Sequence, residues 1–504
     1  MSFKEIKELR QAGRLEEALQ LAKQAIEGDP ENIWNKRAAA WVYYEFLKKY
    51  SLPESYTDFH SYLEKISALN LPADEHILFD SCAYQIGKLV FAIKKTEQID
   101  YQKVNSIFDL IRNFHFTKPS EAYSFIFRAF EKGYDAWPRF LEFADWWNLE
   151  NFRPEDYLKE VYNGKQVMSI VEQAYIAYSK KLLDGDPVDS FGINRIIDKD
   201  KIKSFLPKLE AIIEKHPEYQ YPSYFKARLL LAVGDSENVL SSFLPFAKQK
   251  RNDFWVWELM AEIFKSDKEK QFACYCKALS LRTPDDFLIK LRKKFAAILI
   301  ERGLLSEAKH EIEKIIEVSN KNSWKLNQEV INWTGSPWYK NNTTPSNNST
   351  LYALHLKQAE ELLYHDIPEE IIAVEFVNTN KKILNFIIDR TKNGFFSYSN
   401  LQIDPKIGDR YYVRFNGKGQ DNFYKVFTAR KASDDVECPS IKNYHGTLRL
   451  QPNANIGFVG DVFIDPALIK KHSLTGSIEL KGKAILSFNK KKQDWGWKAF
   501  SIDL

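Results

Sequence analysis

Apolar residues along the first 318 positions recur at intervals of three and four, and runs that alternate apolar with polar are nearly absent. That period marks helices burying one face, so this stretch is predicted to be helix after helix. The first hairpin shows the rhythm best. Gly13 and Leu15 stand at a turn, Ala18 and Ala25 lie seven apart on the second helix, Pro30 follows, and Trp34, Ala38 and Trp41 mark the next helix. Small residues at such places let antiparallel helices approach closely, and large aromatics fill the gaps between neighbouring pairs. From about residue 371 the period changes to two. Residues 371–377, 383–389, 392–398, 411–415 and 423–428 read as strands, and a second strand-rich stretch runs from 444 to the end.

The helical rhythm returns along the chain. Tyr224, Ala227, Leu231 and Ala247 form one weak unit, and Trp257, Ala261, Phe264 and Ala278 another, ended by Thr283 and Pro284. Gly303, Leu305 and Ala308 repeat the spacing of Gly13, Leu15 and Ala18, with Ile315 where Ala25 stands. This pattern resembles the tetratricopeptide repeat, a helical hairpin of about 34 residues. The resemblance implies an α-solenoid over 1–318 and a groove that takes a protein partner. Between 51 and 200 the spacing is degenerate, and only helix pairing supports the assignment. Trp137, Phe140, Phe143, Trp146 and Trp147 keep helical spacings of three and four, which reads as core rather than as a ligand platform.

Residues 319–364 change character. The run from 319 to 350 is rich in Asn, Ser, Thr and Pro, so it is expected to be a linker, exposed over 340–350, followed by a short helix from about 351. Trp324, Trp333, Trp338 and Tyr339 are large for a free segment, and the front half is expected to pack on the solenoid. Residues 365–431 then form a first small antiparallel barrel, 432–440 an acidic connecting turn, and 441–504 a second barrel. The whole is multidomain α + β.

In the second barrel, Gly457-Phe458-Val459 and Val462-Phe463-Ile464 form two short aromatic-centred strands, followed by a turn at Leu474 and Gly476 and two longer strands. This order resembles a cold-shock domain of the OB type, which implies binding of RNA or single-stranded DNA by stacking bases on strand aromatics. Two positions depart from that family: Ile456 replaces an aromatic, and Asp465 replaces a stacking histidine and is expected to face the phosphates. The resemblance therefore puts stacking on Phe458 and Phe463. The run from Asn489 to Asp494 contains Lys490, Lys491 and Lys492 and leads into Trp495-Gly496-Trp497-Lys498. Residues two apart on a strand share a face, so Trp495 and Trp497 project together, either as an exposed platform beside the lysine turn or as a plug in the barrel. Electrostatic guidance is assigned to Lys481, Lys483, Lys490, Lys491, Lys492 and Lys498. In the first barrel, Asn393-Gly394-Phe395-Phe396 echoes the same family less closely, which makes Phe395 and Phe396 a secondary platform.

Charge supports this division. From Lys381 to Leu504 there are 21 Lys and Arg against 12 Asp and Glu, a balance of +9, so the first 380 residues carry −5 of the overall +4. A basic tail region on a mildly acidic body points to an anionic ligand. The four cysteines are scattered, with no spacing for zinc or for a disulfide framework. Reduced thiols in the cytoplasm, and neither metal nor cofactor, are the expectation. The N-terminal helix lacks the apolar core of a signal peptide, and no run approaches the length of a membrane span. No phosphate-cradling loop, dinucleotide-binding glycine cluster, His-Glu-x-x-His motif or nucleophile elbow occurs, and the nine histidines lack ligand spacing. Two readings stand. One is a non-enzymatic adaptor that holds a protein on its solenoid and a nucleic-acid strand on its barrels. The other is a purely protein-binding scaffold whose barrels dock partners. A third, an enzyme acting on the bound strand, lacks a carboxylate cluster on the barrels. The fusion of helical repeats with such barrels resembles components of bacterial anti-phage conflict systems.

Overall fold

Gly13 ends the Phe3–Gln11 helix in the left-handed region at φ 75°, and the Arg14 amide closes the turn on the Leu9 carbonyl at 3.0 Å. The Leu15–Gly28 helix then runs back with Ala18 and Ala22 fully buried, the close approach that its small residues permit. These features belong to a computed structural model that describes residues 3–187, 195–401, 403–451, 455–489 and 493–503. The chain divides into two compact units, Met1–Gln249 with Glu262–Lys265, and Lys250–Ala261 with Ser266–Leu504.

The first unit is helical apart from two short ribbons, β1 (Glu160–Tyr162) with β2 (Lys165–Val167) and β3 (Asp186–Pro187) with β4 (Arg195–Ile196). Its irregular middle is held by aromatic packing. Trp137, Phe140, Phe143 and Trp147 are fully buried. Tyr123 stacks on Trp147 with centroids 4.7 Å apart, and each ring donates a hydrogen bond of 3.0 Å to the other residue's carbonyl. Lys94 is buried against this cluster, its ammonium 4.7 Å from the centre of the Trp137 ring and donating to the Phe130 carbonyl. Burial pushes its pKa down to about 7, and the Glu131 and Asp135 carboxylates recover only part of the loss.

In the second unit, Gly303 at φ 73° turns the Asp285–Glu301 helix into Leu305–Lys321, with Ala308 fully buried and Ile315 nearly so, repeating the first hairpin. The front half of the segment before the barrels packs as expected. Trp333, Trp338 and Tyr339, on the helices Gln328–Gly335 and Pro337–Asn341, lie on a core of Ala296, Ile312, Ile315 and Val330. Lys309 donates to the Asn342 carbonyl (2.9 Å), Thr344 to Glu313 (2.8 Å), and Asn348 to the Glu307 carbonyl (3.0 Å). The fully buried Glu311 carboxylate gathers donors from Arg292, Asn348 and Tyr352, which fixes the start of the Ser349–Tyr364 helix. Most of residues 340–350 are exposed, as their polar composition suggested, while Asn348 turns inward to the buried carboxylate.

The Ser349–Tyr364 helix leads into the first barrel, built of β5 (Glu370–Asn378), β6 (Ile383–Ile387), β7 (Asn393–Ser397), β8 (Arg410–Lys418) and β9 (Tyr424–Lys431). Arg414, nearly buried, clamps helix to barrel through Glu361 (2.6 Å) and Glu369 (3.1 Å). The second barrel comprises β10 (Ile441–Thr447), β11 (Arg449–Leu450), β12 (Gly457–Val459), β13 (Val462–Ile464), β14 (Glu479–Asn489) and β15 (Asp494–Asp503), with the helix Pro466–Lys471 after β13. β11 continues β10 past Leu448, so each barrel has five strands. In both, strand 1 pairs with 2 and 4, strand 2 with 3, strand 4 with 5, and strands 3 and 5 meet in parallel, at Phe395 and Phe423 in the first and between β13 and β15 in the second. The strand 1–2 pairing of the second barrel runs through β11 and β12. This is the closed Greek-key order of the OB fold. The first core centres on Phe386, Phe396, Tyr411 and Val413, the second on Leu448, Val462, Ile464 and Ala484.

Two outcomes follow. Because folding depresses the Lys94 pKa from 10.5, the unfolded chain binds the proton between about pH 7 and 10.5, and stability rises with pH across that window. Urea unfolding between pH 7 and 9 is expected to show the native chain gaining about 2 kcal/mol relative to Lys94→Met, and parallel pH profiles would contradict this. Glu311→Ala leaves Arg292 with only the half-exposed Asp285 and strips Asn348 and Tyr352 of their buried acceptor, and is expected to cost about 3 kcal/mol, read as a lowered denaturation midpoint of the second unit.

Candidate nucleic-acid interface

Alternation in the short strands of the second barrel fixes its outer face. Gly457, Val459, Val462 and Ile464 point inward and are buried, which turns Phe458 and Phe463 out, both half-exposed. Register then aligns them. Arg449 lies opposite Phe458, Phe458 opposite Phe463, and Phe463 opposite Lys498. Directly opposed residues share a face, so strands 1, 2, 3 and 5 present a row of Arg449, Phe458, Phe463 and Lys498. The two rings are 5.6 Å apart. A row of two aromatics with a cation at each end suits bases stacked between neutralised phosphates.

Asp465 does not project as a free carboxylate, contrary to the sequence-based expectation. It accepts from the Leu468 amide (2.9 Å), capping the Pro466–Lys471 helix, and pairs with Lys498 at 3.1 Å. Burial raises its pKa, but the hydrogen bonds from Leu468 and Lys498 outweigh that and leave it below the ordinary aspartate value.

The first barrel carries a row at the same strand positions. Phe376 lies opposite Asn385, Asn385 opposite Phe395, and Phe395 bridges to Phe423, the rings of the last two 5.5 Å apart. Phe376 is 51% exposed. The two barrels are joined by an apolar seam of Ala373, Cys438 and Ile485, flanked by Ile371, Ile441 and Phe500, and by a 2.5 Å hydrogen bond from Ser487 to Glu375. Beside the seam opens a cleft of about 670 Å³, lined by Phe376, Asn385 and Phe395 from one barrel and by Phe488, Trp495 and Lys498 from the other. Lys498 thus ends one row and lies at the wall that receives the other.

Of the residues expected to bind, Phe458, Phe463 and Lys498 are brought together. Phe395 lies in the row of the first barrel, but Phe396 is fully buried in its core and offers no platform. Trp497 is a plug. Its cross-strand partners Val462 and Leu486 are buried, it packs on the barrel core, and the Lys442 ammonium, held by Asp461 at 2.7 Å, covers its ring at 4.7 Å. Trp495 has passed the barrel rim and lines the cleft, packed on Phe488 at 5.3 Å, so it does not stand beside Phe458. Lys481 and Lys483 lie on β14, separated from β13 by β15, and Lys483 borders a groove walled by Asp434, Asp435 and Glu437 of the connector. Lys490, Lys491 and Lys492 lie outside the described residues. Arg449 and Phe376 were missed. The alternation of Leu448, Arg449 and Leu450 marked Arg449 as outward, but only the register places it in the aromatic row.

Among the described residues no group of three or more His, Cys, Asp or Glu is placed to hold a metal ion, and no helix is long and apolar enough to cross a membrane. The four cysteines are buried and free, and burial pushes the thiol pKa of Cys82, Cys274 and Cys276 upward.

Residues 364–427 match S1/CSD-like domain 1 of the TOTE conflict systems, and residues 442–502 match S1/CSD-like domain 2 of the same systems. Both barrels resemble TOTE S1/CSD-like domains. They follow the helical region in the order of those two domains. Residues 220–359 match a domain of unknown function (DUF7017), which runs through position 318 and takes in the packed segment before the barrels. No curated protein matches the chain. A solved structure of Naa15/Naa10 bound to HypK-THB aligns over 71% of this chain and 67% of that chain at 12% identity, with a TM-score of 0.19, too low to carry an argument.

The inward and outward assignments have a direct test. Trp497→Ala is expected to lower stability by about 2–4 kcal/mol, whereas Phe458→Ala shifts it by less than about 1 kcal/mol. Thermal melts of the two variants that fail to separate would place both rings on one face.

Proposed function

We propose that this chain is a non-enzymatic, cytoplasmic adaptor of a conflict, or anti-phage defence, system. Its S1/CSD-like barrels hold RNA or single-stranded DNA, and its helical region engages a protein partner. The observation that carries the reading is the pair of cross-strand rows at equivalent positions of two adjacent OB-type barrels. Aromatics on strands 2 and 3 form the face on which such folds stack bases. Arg449 and Lys498 bracket Phe458 and Phe463 in the second barrel, so phosphates on either side of two stacked bases meet a cation. Lys490, Lys491 and Lys492 fall in sequence between strands 4 and 5, the connection that OB folds use for oligonucleotides, and add three cations.

The purely protein-binding alternative draws on one observation. Glu375, Asp421 and Asp465 line the cleft, and these acids repel a phosphate backbone. Asp465 is taken up by Lys498 and the Leu468 amide, and neither Glu375 nor Asp421 belongs to the second barrel, which keeps the strand-binding reading ahead.

Fluorescence anisotropy with labelled oligouridylate and oligothymidylate across a salt series tests the reading. Affinity is expected to fall steeply with salt, the slope dropping by about 2 when Lys490, Lys491 and Lys492 become alanine. Phe458→Ala with Phe463→Ala is expected to weaken binding at least about tenfold. Binding indifferent to salt and to both sets of substitutions would leave the protein-binding scaffold as the answer.

A further inference from the structure

The cleft between the barrels contains chemistry that a stacking track alone does not require. Its walls are aromatic on both sides, with Phe376 and Phe395 on the first barrel and Phe488 and Trp495 on the second. Between those walls stand hydrogen-bonding groups with spare capacity. Glu375 accepts from Ser487 and has no other hydrogen bond or ion pair among the described residues, and the Asn385 carboxamide has none. The loop between strands 4 and 5 of the first barrel adds Asp421 and Asn422, two consecutive non-glycine residues in the left-handed region at φ 54° and 58°. Such a conformation persists only where its surroundings impose it. Here the Asn422 carbonyl sits so close to Gly394 that a side chain at 394 would collide with it.

A cleft that carries aromatic rings from both barrels, with the Glu375 and Asp421 carboxylates at its wall, favours the edge of a base over a phosphate at those two acids. The acceptors choose among bases. Guanine alone presents two adjacent donors, N1–H and N2–H, to a single carboxylate, whereas uracil and thymine offer one imino donor flanked by carbonyls that a carboxylate repels. We infer that the inter-barrel cleft is a guanine pocket, in which the base slides between the aromatic walls and pairs its N1–H/N2–H edge with Glu375, while Asn385 serves a second edge position. This rests on the single-strand reading above. Continuity supports it, because Lys498 closes the Arg449–Phe458–Phe463 row at the cleft wall, so a strand stacked on the second barrel delivers its next base there.

The test compares a short oligouridylate with the same oligomer carrying one guanosine, using the full chain. The guanosine is expected to tighten binding about tenfold or more. Glu375→Gln should abolish the ratio between the two affinities, even where losing a carboxylate tightens both oligomers alike, and Asn385→Ala, which spares the Ser487–Glu375 bond, should reduce that ratio. Equal affinity for the two oligomers, or a gain that survives both substitutions, overturns the guanine pocket and leaves the single-strand reading standing. Calorimetry with GMP and UMP separates the two claims if neither oligomer binds. A Glu375-dependent preference for GMP then upholds the pocket while the strand track falls, and no preference overturns the pocket as well.

Discussion

Ile485 is the residue on which the arrangement of the barrels turns. Strand alternation places it on the outer face of β14, opposite Lys498 and Ile441, where an isolated barrel would expose it to water. The first barrel covers it with Ala373, and Cys438 of the connector completes the seam. Phe500 extends the contact to Gly408, whose missing side chain makes room for the ring. Burying apolar surface stabilises by about 25 cal/mol per Å², and the Ser487–Glu375 hydrogen bond adds direction. Once this face is covered, the second barrel retains the face of strands 1, 2, 3 and 5, which is the one carrying Phe458 and Phe463.

The same seam sorts the charges. Arg449 and Lys498 stand at the two ends of the second barrel's row, while Glu375, Asp421 and Asp465 gather where the barrels meet. A polyanion feels these as different environments, one that neutralises its backbone and one that repels it. Lys498 belongs to both, because its pairing with Asp465 draws it toward the cleft and leaves it at the end of the aromatic row. The helical side of the second unit is organised by another buried charge, Glu311, whose donors come from two stretches of chain, Arg292 on one and Asn348 with Tyr352 on the other. Each case sets a carboxylate where chain segments converge, and geometry rather than net charge decides what it does.

Local signals were legible where the physics is local. Gly13 and Gly303 marked their turns, Ala18 and Ala308 their close helix contacts, and the alternation around Phe458 and Phe463 gave both rings their outward direction. What failed was set by distant partners. Spacing tells that Trp495 and Trp497 share a strand face, but not that the face is the inner one, nor that the barrel ends between them. Lys481 and Lys483 read as part of a basic surface, yet the strand order 1-4-5-3-2 carries them around the barrel from the aromatic row. The polar stretch before the Ser349–Tyr364 helix read as exposed, and most of it is, but nothing in its composition reveals that Asn348 meets a buried acid on another helix. The seam left no trace in the alternation, since one outward isoleucine is ordinary on any surface.

The acidic connector between the barrels carries a consequence for the footprint of a bound strand. Asp434, Asp435 and Glu437 wall the groove that contains Lys442 and Lys483, and Arg410 is turned to the Asp434 carbonyl. These acids border Lys483 and lower the positive potential on that flank of the second barrel. For the strand proposed on the aromatic row, the connector side of the barrel is therefore the less attractive one.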